Sequence, residues 1–419
     1  MKKKQTDAVK VNTRLSLISR LGGLTCLSLL ISFASLATRN GTDLKEKSDQ
    51  AQYQNHNASG IVTSNISDAQ PASTPEEVKA VMKQVADWQI EHYRDAYSNP
   101  NKPHHPLDWT NGALYVGMVK WAEIAGSDTY YEWLRNIAEE HDWQLYKRKY
   151  HADDHTVGQM YCELYRKYDD KKMIEPTINQ FDFILYHPAV SKLNWRTPYC
   201  QDRWSWCDAL FMSPPVWAKI SKITGEKKYL DFMVDEFKAT TDFLFDKKEN
   251  LYYRDESYMG KLDNGTKIFW SRGNGWVFAG LANIMSELEP NSKEYKYFLK
   301  IYKKMAKKLI EIQTPEGHWA MSLLGQEFYP TPETSGSSFF TFGLAWGINN
   351  GILDKNTYEE PVLRGWNAMV SHVTDDGMLG YVQPVGAAPG KAWEDKSEVY
   401  GTGAFLSAGY EVYKLFGGE

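Results

Sequence analysis

The sequence predicts an all-α fold, an (α/α)6 toroid of six inner and six outer helices. Three observations support it. Helical periodicity dominates from Thr74 onward. The helices alternate between two classes: one small and aromatic on several faces, the other amphipathic and charged. Similar short joints recur between them, at Ala125-Gly126-Ser127-Asp128, Thr224-Gly225-Glu226-Lys227 and Asn350-Gly351-Ile352-Leu353-Asp354. A hairpin of this kind cannot bury its own inner face and must stack on its neighbours. An open solenoid is the rival arrangement. Its terminal helix should be polar, whereas the last helix here is rich in glycine and aromatics.

The first helix is expected to begin at Thr74-Pro75-Glu76-Glu77. Thr74 can cap, Pro75 suits the first helical position, and Glu77 completes a capping box. Twelve helices are expected, at about 75–98, 110–126, 128–142, 153–168, 170–186, 203–224, 226–245, 273–288, 291–313, 336–350, 355–372 and 399–415. The small, aromatic class includes Gly112–Met118, Gly273–Gly280, Gly336–Phe340 and Gly401–Phe405. The charged class includes Thr129–Leu134, Lys228–Met233 and Ser292–Tyr295. Strand-like pieces, such as Leu251–Arg254 and Lys267–Trp270, are short and lie in connections. The polar, glycine-rich motifs cluster at the starts of the small, aromatic helices, so those starts should rim the central depression.

Ahead of this domain, Met1-Lys2-Lys3-Lys4, Lys10, Arg14 and Arg20 form a basic stretch. The apolar run Leu21–Ala37 follows, ending Ser35-Leu36-Ala37. Residues 1–37 are expected to be a signal peptide, giving an exported protein, periplasmic or secreted. The run is short for a spanning helix, so no stable membrane insertion is expected after cleavage. A lipoprotein is disfavoured because Thr25, rather than Gly, Ala or Ser, precedes Cys26. Residues 38–73 are polar and lack apolar periodicity, the pattern of a disordered tether. Residues 74–419 form the expected catalytic domain. Beyond the leader, Cys162, Cys200 and Cys207 make no disulfide framework and no metal cluster, and are expected to be buried thiols.

The 419 residues are 42% hydrophobic and 24% charged, enough for a large core. The net charge of −5 argues against nucleic acid as a partner. With 15 Trp and 26 Tyr the chain has many flat faces that can fill a core or stack on sugar rings.

Asp208 is the leading chemical candidate. On a helix through Asp202–Pro215 its face would carry Trp204, Ser205, Phe211 and Met212. A carboxylate among such groups is costly unless paired or protonated. Desolvation raises its pKa, which suits a group that donates a proton and then acts as base. The structural alternative is a buried aspartate satisfied by arginine or backbone. Trp204, on that face, is expected to meet the sugar. A second candidate is His151-Ala152-Asp153-Asp154-His155, where one acid is expected to cap a helix and the other to enter the depression. No further ligands support a metal there. A third is Trp270-Ser271-Arg272-Gly273-Asn274-Gly275-Trp276: its glycines permit close backbone approach, and Arg272 is a fixed cation suited to a carboxylate. Here too a structural arginine at a tight turn is the alternative. Weaker candidates are Arg254, Glu333-Thr334-Ser335-Gly336-Ser337 and Tyr400-Gly401-Thr402-Gly403. The last lacks the strand and lysine of a phosphate loop.

Trp206–Met212, Ser271–Trp276 and Glu333–Gly336, in that order, resemble the unsaturated rhamnogalacturonyl hydrolases, relatives of the unsaturated glucuronyl hydrolases. The resemblance runs from about Thr74 to the C-terminus. It implies an (α/α)6 barrel, no metal and no organic cofactor. The implied substrate is an oligosaccharide bearing at its non-reducing end the 4,5-unsaturated uronic acid left by a polysaccharide lyase. The implied chemistry is hydration of the enol-ether double bond. The acid matching Asp208 protonates C4 and then draws a proton from water adding at C5. The second acid matches Asp153, with His155 close by, and Arg272 and Trp276 match residues that meet the sugar. Tyr253-Arg254 stands where many members have histidine, and Trp195–Gln201 departs from the pattern. Arg254 adds a second cation, suited to a uronate-rich or sulfated glycan. Two other readings stay open: another (α/α)6 carbohydrate enzyme (a two-carboxylate glycosidase, or a lyase using Tyr253 or His155 with Arg254), and a non-catalytic glycan binder.

Overall fold

Thr74 begins the ordered ring as its side chain predicts. Its hydroxyl accepts from the Glu77 amide, and the Glu77 carboxylate returns to the Thr74 amide. The computed structural model describes residues 74–94 and 103–418, all within one compact unit, Gln70–Glu419. The expected signal peptide and tether lie outside the described residues.

Fourteen α-helical segments follow among the described residues: α1 Pro75–Glu91, α2 Trp109–Ile124, α3 Thr129–Glu140, α4 Ala152–His155, α5 Gly158–Tyr168, α6 Glu175–Tyr186, α7 Ala209–Met212, α8 Pro214–Thr224, α9 Lys227–Leu244, α10 Ser271–Met285, α11 Lys293–Glu311, α12 Thr334–Asn349, α13 Lys355–Val370 and α14 Val399–Leu415. Two antiparallel ribbons interrupt them, β1 Phe245–Asp246 with β2 Leu251–Tyr252 and β3 Leu262–Asp263 with β4 Thr266–Lys267.

The inner ring closes. α2 packs on α5, α5 on α8, α8 on α10, α10 on α12, α12 on α14, and α14 back on α2. Every residue of α10 is buried, as are Thr334–Ile348 of α12 and Val399–Tyr413 of α14. The outer helices α1, α3, α6, α9, α11 and α13 bury one stripe each. Closure removes the ends that an open solenoid would have to cap. The expected six-plus-six architecture is present.

Two expected helices are broken, and both breaks fall at chemistry. The stretch 153–168 divides into α4 and α5. The stretch 203–224 divides more deeply. Trp206 forms an antiparallel bridge with Asp255, and the Cys207 amide donates to the Arg254 carbonyl at 2.8 Å. The chain is therefore tied across to the segment after β2 before it can coil. Pro214 lacks an amide hydrogen, so α7 ends at Met212 and α8 starts afresh. The first helix ends at Glu91, short of the expected 98.

Contact between α14 and α2 depends on glycine. A Cβ at Gly403 would run into the Ala113 carbonyl, and one at Gly117 into Gly403 itself. Gly403→Ala should therefore cost about 3 kcal/mol, because rigid backbone must move apart. Thermal melting reads this; an unchanged midpoint would mean the helices separate freely.

Candidate active site

Asp208 closes the start of α7 rather than lying within a helix. This corrects the expected helical face: Trp204 and Ser205 precede the bridge in extended chain. Trp204 turns toward the outer layer, its ring edge-on to Phe232 of α9 and its carbonyl accepting from Thr240 at 2.5 Å. It lines a cavity of about 30 Å³ with His155, Trp217 and Phe232, and at 3% exposure offers no sugar platform.

The carboxyl of Asp208 is 11% exposed. Arg254 Nε lies 3.6 Å from its Oδ2, and the Cys207 thiol donates to the same oxygen at 3.4 Å. Burial pushes the Asp208 carboxyl above the ordinary aspartate range, while Arg254, the Cys207 thiol and, more weakly, Arg272 pull the other way. Arg254 is held by Asp255 at 2.7 Å and by the face of Trp195 at 4.3 Å. Its Nε has no hydrogen-bond partner among the described residues. The motif search undervalued this arginine because its meaning depends on the bridge across to Trp206. Asn274 completes the placement, exchanging hydrogen bonds with both backbone groups of Tyr252 at 2.7 and 3.0 Å and so anchoring β2 to α10.

The two acids of α4 separate cleanly. Asp154 is fully buried and receives the Arg148 guanidinium through Nε and a terminal nitrogen, plus the Arg148 amide. It is the structural member. Asp153 keeps 17% of its side chain exposed, with Arg148 at 3.8 Å and His151 Nδ1 at 3.6 Å. Burial, and then the charge of Asp208, push its carboxyl up to about 8, against the pull of Arg148. The charge of Asp208 thus reaches Asp153. His151, at the head of the same motif, accepts the Asp153 amide on Nδ1 and tilts against Trp206 at 4.8 Å. Burial and Arg148 lower its pKa to about 3, so it is a neutral wall.

His155 is buried. Its Nε2 faces the Lys149 carbonyl at 2.9 Å and its Nδ1 the Ser213 hydroxyl at 2.7 Å, and burial holds it neutral with a pKa of about 4. Nδ1 joins α4 to the α7–α8 break, and Nε2 ties α4 to the loop that precedes it. Tyr253, the other base considered for a lyase, donates its hydroxyl to Asp246 at 3.1 Å.

Arg272 and Trp276 are also placed differently from expectation. Arg272 has no exposed surface. Its terminal nitrogens donate to the carbonyls of Gln383 at 2.6 Å and Pro384 at 2.8 Å, and its guanidinium lies between Trp270 at 4.6 Å and Tyr400 at 4.8 Å. Two of its five donors are engaged by backbone, while Nε has no hydrogen-bond partner among the described residues. Trp276 is fully buried against Phe339 and Phe211, at 4.3 and 4.8 Å between ring centroids. The glycines of this motif serve packing: a Cβ at Gly273 would meet Cys207 Sγ at 3.1 Å. Gln383 is the unforeseen hub. Its carbonyl takes Arg272 and Tyr400, its side chain takes Trp270, and its amide reaches Glu333, which also caps α12 through Ser335 and Gly336.

The three free cysteines are buried. Among the described residues no group of three His, Cys, Asp or Glu could hold a metal ion, and no helix is long and apolar enough to cross a membrane.

Residues 81–416 match the sequence model of Glycosyl Hydrolase Family 88. The chain belongs to that family. It is a glycoside hydrolase. It is 35% identical over 384 residues to an unsaturated 3S-rhamnoglycuronyl hydrolase of Alteromonas sp., covering 87% of this chain and 93% of the relative. A protein of the same description from Formosa agariphila is 38% identical over 360 residues, covering 83% and 93%. The solved structure of a family 88 glycosyl hydrolase from Bacteroides vulgatus superposes with a TM-score of 0.72 at 30% identity, over 82% of this chain and 99% of that one. The expected family and toroid are both shown.

Proposed function

We propose that this family 88 enzyme releases 4,5-unsaturated uronic acid from the non-reducing end of lyase-generated oligosaccharides by adding water across the C4–C5 enol ether. The observation that carries this reading is Asp208, buried, raised in pKa and faced by the Arg254 cation, with its charge felt at the raised carboxyl of Asp153. A vinyl ether needs one proton delivered to C4, and a partly desolvated acid keeps one available.

In this mechanism Arg254 meets the uronate carboxylate. Asp208 passes its proton to C4 as positive charge develops at C5 and the ring oxygen. The resulting carboxylate takes a proton from the water that bonds to C5. The C5 hemiketal then opens to a ketone, and the aglycone leaves from C1 with its own oxygen. Net, one water is consumed and Asp208 is restored. His151 and Arg148 fix the position of Asp153. Neither lyase base is free, since Tyr253 and His155 are engaged elsewhere.

By extension from the relatives' description we propose a sulfated rhamnose beside the unsaturated uronate. Export guided by residues 1–37 would place the enzyme where lyase products arise.

The test is the ultraviolet absorbance of the conjugated uronyl group. This enzyme should consume it; a lyase would create it and a binder would leave it unchanged. The rate should fall as pH rises, because Asp208, held above the ordinary aspartate range by burial, then loses the proton it must donate. Stability follows the same sign. The Asp153 pKa is raised by folding, so its contribution is full below about pH 4 and is lost as pH climbs through 8. A rate independent of pH up to 10 would contradict the acid role.

A further inference from the structure

The inner helices carry a second polar cavity, and it lies toward their other ends. Asp208, Arg272 and Glu333 sit at or just before helix starts. Lys120 of α2, Lys219 of α8 and Asn283 of α10 instead lie in the second halves of their helices and line, with Gln159 of α5, a cavity of about 170 Å³. That is room for about five or six waters at liquid density, or for a small organic molecule.

Its wall is polar and unevenly satisfied. Glu163 and Glu287 are both engaged, by Lys219 and by Arg166. Glu123 lies at the exposed rim and accepts the Tyr410 hydroxyl at 2.9 Å. Lys120 differs. No carboxylate lies within ion-pair distance of it among the described residues, and its Nζ rests 5.2 Å from the centres of both the Phe342 and Tyr410 rings. The strongest electrostatic support is Glu411, already bound to Asn349 at 2.8 Å. Two further groups, each more than nine-tenths buried, present atoms with no hydrogen-bond partner among the described residues: the Nδ2 donor of Asn283 and the Oε1 acceptor of Gln159. A buried polar atom left in that state costs about 1–3 kcal/mol.

One cation and one amide donor suit a carboxylate, and the nearby acceptor suits a hydroxyl. We propose that this far mouth binds a small hydroxycarboxylate of at most monosaccharide size, its anion on Lys120 and Asn283 and a hydroxyl on Gln159. Gln159 gives the site a mechanical reach, for its Nε2 donates at 2.9 Å to the Phe211 carbonyl, in the turn that follows Asp208.

Calorimetric titration of the whole chain with D-glycerate tests this. One binding event is expected, weakened about tenfold or more by Lys120→Met. Asn283→Leu should abolish it without lowering the melting temperature, since it removes an unsatisfied amide and fills space; this variant keeps the test decisive if Lys120→Met folds poorly. Glycerol, which lacks the carboxylate, should not compete. Three results overturn the proposal: no heat of binding, which leaves a water site only; binding that survives both variants and is lost in Arg254→Ala, which puts the acid in the catalytic mouth; or equal binding of glycerol.

Discussion

Asp208→Asn should lower turnover by about a thousandfold or more while leaving the melting temperature within about 2 °C of the parent. The amide is nearly isosteric with the acid, so the bridge Trp206–Asp255 and the Cys207–Arg254 hydrogen bond are untouched. Arg254 keeps Asp255 at 2.7 Å and the Trp195 face. What disappears is a proton that can move. The effect should fall on kcat, with KM little changed, because the uronate meets Arg254 rather than Asp208. Single-turnover measurement of uronyl absorbance reads it. A variant retaining a tenth of the parent rate would remove Asp208 from the reaction and point to Asp153, whose carboxyl is pushed up to about 8.

Arg272→Ala should act mainly on stability, costing on the order of 3 kcal/mol. The sequence motif alone suggests a uronate-binding cation, for which loss of affinity would dominate. The structure reverses that expectation. Removing a fully buried guanidinium takes the Arg272 donor from the Pro384 carbonyl, leaves the Gln383 carbonyl with Tyr400 alone and opens a void between Trp270 and Tyr400. The hub that ties α10, α12 and α14 would loosen. Arg272→Lys should recover little, because an ammonium cannot span two carbonyls or stack between two rings as a planar fork does. Thermal melting and KM should be measured on both variants. A stable Arg272→Ala protein with sharply raised KM would restore the substrate-binding role and show that Gln383 and Pro384 move aside when sugar binds.

Four residues expected to bind sugar are buried for one physical reason. Arg272, Trp276, His155 and Trp204 have the chemistry of sugar-binding groups, and each is drawn inward by partners distant in sequence. Arg272 is satisfied by carbonyls 111 and 112 residues away, and Trp204 by a hydroxyl 36 residues away. Arg254 errs the other way: its sequence surroundings are unremarkable, and it gains importance only because β2 is pinned by Asn274 and its carbonyl accepts from Cys207. Local pattern reports what a side chain can do. It does not report which competing partner reaches it first.

Periodicity, the alternation of two helix classes and the ordered motifs were sufficient for the ring and the family. Those are properties of nearest neighbours on one helix or of residue type, and both are written along the chain. Which of Asp153 and Asp154 stays available, where α7 breaks, and which arginine faces the acid pair were decided by tertiary structure alone. Each turns on a hydrogen bond or ion pair closed by folding, whose strength depends on burial and distance rather than on sequence spacing.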